Sequence, residues 1–335
     1  MASYFDGYEQ FRSTDKSNPG TFMRLAGYTV RGAISAGLGR LPTSIGLYTL
    51  NSAYERDWTW GGDTLTIGFA CKQQARGALF GLKIGDATGR DVPHVVVYTD
   101  PVSALVTIQT GPDQSEVGYV TPIPTRWYYY EVVMNRATKV IEVFVNGKSD
   151  VAYTLPDVIA ASAVVRMVFN PFDMLPSFPA DAEYTEDTKV FDDMYAQDGG
   201  RLGAIQISGR LPDGDRDTEW GVAGPNPTAA HNQMVGRLPP DMANMYIYTG
   251  TNDRHDSFIS TNKLPDNGAI LAQGLIALVR KATADPVSII ANIDSHTVTL
   301  SNIGRNWEYR YAQFTTSGYD QAAIEAAEFG VRSVL

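Results

Sequence analysis

A glycoside hydrolase built on a jelly roll needs two carboxylates across a cleft. One large group of such enzymes carries them as Glu-x-Asp-x-Glu, where alternate positions of one strand face the substrate together. This chain of 335 residues has no such run. The stretch Glu183-Tyr184-Thr185-Glu186-Asp187 sets its glutamates three apart, which sends them to opposite faces of a strand. Asp213-Gly214-Asp215-Arg216-Asp217 begins like a calcium loop. An EF-hand, however, requires Gly at the sixth position and a bidentate Glu at the twelfth, where this chain has Thr218 and Gly224, so the segment reads as a turn. His94, His231, His255 and His296 are far apart, and none stands in a ligand spacing such as His-x-x-x-His; they read as structural or surface residues. No Gly-x-Ser-x-Gly elbow accompanies the serines, and Gly111 to Gly118 lacks the Lys and Ser/Thr of a phosphate loop. The expectation is a protein that is not an enzyme and holds no cofactor and no metal.

Composition narrows the partners. The net charge is -10, and without a surplus of Lys and Arg to displace counterions the chain is not expected to bind nucleic acid. Arg280-Lys281 is the densest basic pair, and apolar sequence flanks it. A single cysteine, Cys71, excludes an internal disulfide framework and a cysteine-rich zinc site, and fits a reducing assembly compartment. The start of the chain lacks the basic residues and apolar run of a secretion signal. The most apolar stretch, Ile270 to Val279, is broken by Gln273 and Gly274, so no membrane span is expected.

The elements that would position any site are strands. Gly 31, Pro 18 and charged residues at 19% favour many short strands joined by tight turns, and the length favours two domains. Leu65 to Phe69, His94 to Tyr98, Ala104 to Gln109, Trp127 to Met134 and Val140 to Val145 are β-branched or aromatic runs bounded by turn residues. The best defined is the hairpin Arg126 to Gly147, turning at Asn135-Arg136-Ala137-Thr138, with Ile141, Val143 and Val145 on one face of its second arm. Asn146-Gly147 supplies the positive φ angles of the next tight turn. A boundary is expected at Gly199-Gly200, giving domains 1–198 and 201–335.

The second half offers strands at Leu202 to Ser208, Asn244 to Thr249, Ser257 to Ser260, Ile270 to Lys281, Val287 to Ile293, His296 to Leu300 and Trp307 to Phe314. Ile270 to Val279 also permits a helix, but its neighbours favour a strand. A short helix follows near 320–329, with Ser317 or Asp320 as N-cap and Gly330 as its stop, and Val331 to Leu335 reads as an edge strand. The fold class is all-β: two β-sandwich, jelly-roll-like domains in series with a short C-terminal helix.

The pattern Trp127-x-x-x-Glu131-Val132, a polar turn, then Ile141-x-Val143-x-Val145-Asn146-Gly147 resembles the late strands of laminin-G-like, concanavalin-type jelly rolls, and Val190 to Tyr195 resembles their closing strand. Many such domains bind sugars or calcium. The acidic stretch Asp181 to Asp198 is therefore either a set of calcium ligands or a solvated loop leading into a strand. Trp58 and Trp60, with Trp127, are either sugar-stacking platforms or core residues.

Over most of the chain, the order of Phe5 to Phe11 (FDGYEQF), Asp192 to Tyr195 (DDMY), Gly203 to Ile207, Leu211 to Trp220, Leu238 to Tyr248 and Glu328 to Val331 is similar to a family of tailed-bacteriophage virion proteins. The loop at Pro212-Asp213-Gly214 keeps that family's turn chemistry but lacks its Asn. The resemblance implies a structural part of the particle, of the tail (fibre, baseplate or adaptor) or else a head or collar decoration protein. Such a protein is a homo-oligomer among other virion proteins, assembled in the bacterial host cytoplasm. Tyr4, Phe5, Tyr8 and Phe11 are then candidates for docking to neighbours or to the chain's own second domain, or else the first strand of the sandwich. Recognition of a host glycan through Trp58 and Trp60 is the alternative function.

Overall fold

The computed structural model describes residues 3–8, 19–40, 44–50, 52–85, 91–111, 114–171, 188–238, 240–265, 269–314 and 319–334. The chain is all-β and divides into two units, 1–207 and 208–335.

The first unit runs β1 (Ser3–Asp6), α1 (Pro19–Leu25), β2 (Thr29–Arg31), β3 (Ile34–Leu38), β4 (Ile45–Leu50), β5 (Ala53–Thr59), β6 (Thr64–Gln73), β7 (Ala78–Gly85) and β8 (Asp91–Thr99). It continues with β9 (Val106–Gly111), β10 (Gln114–Val117), β11 (Trp127–Asn135), β12 (Val140–Val145), β13 (Lys148–Thr154), α2 (Asp157–Ala160), β14 (Val164–Phe169) and β15 (Thr188–Asp198). One sheet has the order β13-β12-β11-β6-β15-β4-β3, with β1 also on β15; the other has the order β10-β9-β8-β7-β14-β5-β2. All pairings are antiparallel, which lets one face of each sheet be apolar and the other polar. Alternation does that work on β6. Leu65, Ile67, Phe69 and Cys71 point into the sandwich, where Phe69 meets Phe80, Tyr130, Phe169 and Phe191, while Thr66, Gly68, Ala70 and Lys72 point the other way.

The hairpin expected at Arg126 to Gly147 is present, with Tyr130 opposite Val145 and Val132 opposite Val143. Its loop is closed by the Asn135 side chain, which accepts from the Thr138 N–H at 2.9 Å. Asn146 and Gly147 have φ of 49° and 82°, as a two-residue turn into β13 requires.

The second unit contains β16 (Gly214–Thr218), β17 (Gly221–Ala223), α3 (His231–Val235), β18 (Tyr246–Tyr248), β19 (His255–Ile259), β20 (Gln273–Val279), β21 (Ser288–Ile293), β22 (His296–Leu300), β23 (Glu308–Phe314), α4 (Gln321–Ala326) and β24 (Phe329–Val334). A five-stranded sheet, β16-β19-β24-β21-β22, packs Ile289, Ala291, Ile293 and Leu300 against Leu275, Ala277, Ala312 and Phe314 of the ribbon β20-β23.

Four details differ from the sequence expectation. Leu202 to Ser208 forms no strand; its backbone N–H groups go to side chains of the first unit, so pairing is replaced by capture. For the same reason the division falls after Ile207, eight residues from Gly199: residues 201–207 are tied to the first unit, whereas Arg210 donates to the carbonyls of Ser260, Asn262, Ile324 and Glu325 in the second. Asp213 to Asp217 lies largely in strand β16. The last strand is interior, between β19 and β21; Gly330 lies within it, and the helix before it ends at Ala326. Asp320 is the N-cap, accepting from the Ala323 N–H at 2.8 Å, while Ser317 lies outside the described residues.

Candidate functional site

The aromatic N-terminal segment faces inward. Tyr4 lies on β1, which pairs with β15, as the first-strand reading has it; Tyr8 lies beyond that strand, buried against Tyr54, so neither ring is displayed for docking. The cause is a buried carboxylate. Asp6 accepts from the hydroxyls of Tyr4 and Tyr28 at 2.8 Å each and from the Tyr8 N–H at 2.8 Å, and Arg56 lies 3.8 Å above the Tyr4 ring. Burial first, then the Asp6 charge, pushes the Tyr4 and Tyr28 phenols up, so both stay neutral donors. Phe5 is half-buried, stacked on Tyr195 with ring centroids 6.2 Å apart. Phe11 lies outside the described residues, as do residues 181–187 of the acidic stretch.

Trp58 and Trp60 face inward as well, whereas Trp127 is half-buried on the outer face of the sheet, packed with Ala70, Tyr195 and Ile205. Trp58 is 9% exposed and donates to Asp198 at 3.2 Å; Trp60 is 1% exposed, with the Arg136 guanidinium 4.1 Å from its ring. Neither ring is free to stack on a sugar, so the core reading holds for both.

The densest chemistry of the first unit lies on the outer face of the β11-β6-β15 sheet. Tyr195 and Glu131 stand on strands either side of β6 and both sit opposite Gly68. A Cβ at Gly68 would come within 2.1 Å of the Tyr195 ring, so only glycine lets that ring cross β6 and donate to Glu131 Oε1 at 2.6 Å. Glu131, 1% exposed, also accepts from Arg201 Nε at 2.9 Å and from the Gly203 N–H at 2.9 Å, and Tyr195 Oη accepts from the Leu202 N–H at 3.0 Å. Arg201 lies 3.6 Å from the Phe144 ring.

A second group of carboxylates continues the row. In β15 the register shifts between Asp192 and Tyr195, and Asp193 takes φ 49°, a conformation that Asp tolerates better than most residues. Asp192 accepts from the Arg40 N–H at 2.7 Å, Ser44 Oγ at 2.8 Å and the Asp193 N–H at 2.8 Å. Asp193 accepts from the Ile207 N–H at 2.7 Å and pairs with Arg40 at 2.6 Å. Burial, then the adjacent Asp192 charge, raises Asp193 to about 7 against the pull of Arg40. Burial also raises Asp192. Between the two groups, Ile205 packs on Ala70, Tyr129 and Tyr195.

The result is a sheet face that holds an extended backbone: Tyr195, Glu131 and Asp193 take the N–H groups of residues 202, 203 and 207, and the apolar floor takes Ile205. Each carboxylate is met by fixed donors of the protein: Glu131 by Tyr195, Arg201 and the Gly203 N–H, Asp192 by Ser44 and the Arg40 N–H, and Asp193 by Arg40 and the Ile207 N–H. Sequence motifs alone did not single out this site. The available signal is Glu131 itself, a lone charge on the aromatic face of Trp127 to Met134.

No family model matches the chain, and no curated protein is similar to it. Among solved structures it is similar to a sialidase, at 12% identity over 58% of this chain and 18% of that one, with a TM-score of 0.39. It is similar to domain 4 of an extracellular arabinanase from Geobacillus stearothermophilus in complex with arabinotriose, at 11% identity over 50% of this chain and 81% of that one, TM-score 0.36. An alginate lyase from Pseudomonas aeruginosa is similar at 11% identity over 53% of this chain and 90% of that one, TM-score 0.36. The chain thus spans less than a fifth of the sialidase, and each likeness is one of fold alone.

Proposed function

We propose that the chain is a structural component of a bacteriophage particle, placed in the tail and acting through contacts with other virion proteins rather than by catalysis. The observation that carries this reading is the capture of 201–207: the sheet face that gathers Glu131, Asp192 and Asp193 with aromatic rings is closed by the chain's own backbone. The order of motifs from Phe5 to Val331 supports a virion role, and no helix among the described residues is long and apolar enough to cross a membrane.

Among the large apolar side chains that the first unit exposes, two stand out. Val102, on the loop between β8 and β9, is 86% exposed, and Tyr119, just beyond β10, is 88% exposed. Both lie past Val106, whose carbonyl accepts from the Gly118 N–H at 2.8 Å, so they share one end of the sheet. An exposed phenol and an exposed valine at one end of a sheet suit a protein partner, because they offer apolar area at low entropic cost.

Mass spectrometry of density-banded particles of the phage that encodes this chain is the test. The expected result is the chain at a fixed copy number per particle, reduced by Tyr119→Asp while the soluble variant keeps its circular dichroism. A chain found in the lysate and missing from the particles overturns the proposal.

A further inference from the structure

Sequence spacing sees metal ligands on one strand or helix, and by that measure the histidines have none. The second unit brings ligands together from three strands of one sheet. His255 lies on β19, Asp217 on β16 and Glu328 immediately before β24, and one ligand atom from each falls within 4.8 Å of the other two. Among the described residues this is the only group of three or more such side chains that converges.

The sheet's alternation puts them there. Phe258, Phe329 and Val331 face the core of the unit, so His255, Ser257, Glu328 and Gly330 belong to the opposite face. Gly330 stands opposite both Ser257 and Asn292, and a Cβ there would run into the Asp256 carbonyl at 2.3 Å and Ser257 at 2.8 Å. With no side chain at that point, the imidazole spans from β16 to β21. Its Nδ1 lies 3.1 Å from Asp217 Oδ2 and its Nε2 lies 3.1 Å from Asn292 Oδ1. The neighbouring cations are engaged with other acids: Arg254 is 3.8 Å from Glu219, and Arg332 is 3.1 Å from Asp253.

We infer that Asp217, His255 and Glu328 form a site for a first-row divalent transition ion, with Asn292 orienting the imidazole. The donor set decides the class. One imidazole and two carboxylates suit zinc and its neighbours, whereas calcium takes six or more oxygens. Ligands at about 2.0–2.1 Å around a tetrahedral ion stand ~3.4 Å apart. The hydrogen-bonded His255 and Asp217 stand 3.1 Å apart, close to that spacing, and all three ligand atoms lie within 4.8 Å of one another. Three protein ligands leave the fourth position to water or to a group from a partner. Binding would cross-link β16, β19 and β24, in a unit whose core is small.

The test is calorimetric titration of the full chain, freed of metal by chelation, with zinc chloride near neutral pH. The expected result is one ion per chain, weakened about a hundredfold by Asp217→Asn, His255→Gln or Glu328→Gln and about tenfold by Asn292→Ala. Asp217 is exposed, so its substitution keeps the fold, and its unfolding midpoint without metal serves as the control. Zinc binding that is unchanged in Asp217→Asn, or no saturable binding up to about 1 mM, overturns the site. Tighter binding of calcium than of zinc overturns the choice of ion.

Discussion

Phe69 in the first unit is ringed by Phe80, Tyr130, Phe169 and Phe191, all with centroids within 5.9 Å, between two sheets of seven and eight strands. In the second unit the corresponding core residues are Ile289, Ala291, Leu300 and Ala312, between a five-stranded sheet and a two-stranded ribbon. The wide sandwich can bury whole carboxylates such as Asp6 and Glu131 because enough backbone and side-chain donors surround them. The narrow one buries a carboxylate too, Asp256, which accepts from the Trp220 N–H at 2.8 Å and pairs with His231, while Asp217 and Glu328 remain at or near the surface. Both units therefore bury a carboxylate where the protein supplies its donors, and what sets them apart is the aromatic bulk of the first core against the smaller, mostly aliphatic one of the second.

The largest effect that would sharpen this contrast is a pair of core truncations. Phe69→Ala is expected to cost the first unit about 3–5 kcal/mol, because a ring packed on four others leaves a cavity that cannot collapse. Leu300→Ala, 8% exposed at the margin of a smaller cluster, is expected to cost the second unit about 2–3 kcal/mol. Amide exchange read segment by segment should show faster exchange in β6 and β11 for the first variant and in β21 and β22 for the second. Equal losses would mean that the two cores are equally tight.

Acid should act on the two units with opposite sign. Asp193 of the first unit is raised to about 7 by burial, from about 4 in an unfolded chain, so between those values the native state holds a proton that the unfolded state lacks. Its contribution is therefore full below about pH 4 and is lost as pH rises to about 7. Glu325 of the second unit is held to about 2 by Lys263, Gln321 and the Leu264 N–H, so its contribution is full above about pH 4.5 and is lost as pH falls toward 2. Urea unfolding at about pH 5 and about pH 8 should give a higher midpoint for β6 and β15 at the lower pH. Asp193→Asn, which keeps the shape and the positive φ, should flatten that difference. A midpoint independent of pH in the wild type would mean that Arg40 governs the pair.

These contrasts also mark what could be read from the residues. The hairpin Trp127 to Val145, its turn at Asn146-Gly147, the strand Gln273–Val279 and the Asp320 cap all follow from local rules of alternation, turn chemistry and capping. The segment Gly203 to Ile207 has the alternation of a strand and is not one, because Asp193 and Glu131, distant in sequence, take its N–H groups first. The His255 group was hidden for a related reason: its members lie 38 and 73 positions apart, and only the sheet order β16-β19-β24 makes them neighbours.

The smallest expected effect separates the two units by their helices. Helix α2 of the first unit begins after Pro156 with no side-chain cap and is anchored by the buried Ile159. Helix α4 of the second has no buried residue, and polar contacts hold it: Asp320 caps it, Arg210 binds the Ile324 carbonyl at 2.5 Å, and Glu325 receives the Leu264 N–H at 2.9 Å. A helix of six residues cannot stand by propensity alone, so each tie should register in its fraying. Asp320→Ala is expected to cost about 0.5–1 kcal/mol, with the Ala323 amide losing most of its exchange protection because its acceptor is gone. Protection around Ile159 should not change, since burial holds that helix. If Ala323 stays protected, the Arg210 bridge alone secures α4, and the contrast between a helix held by burial and one held by its cap fails.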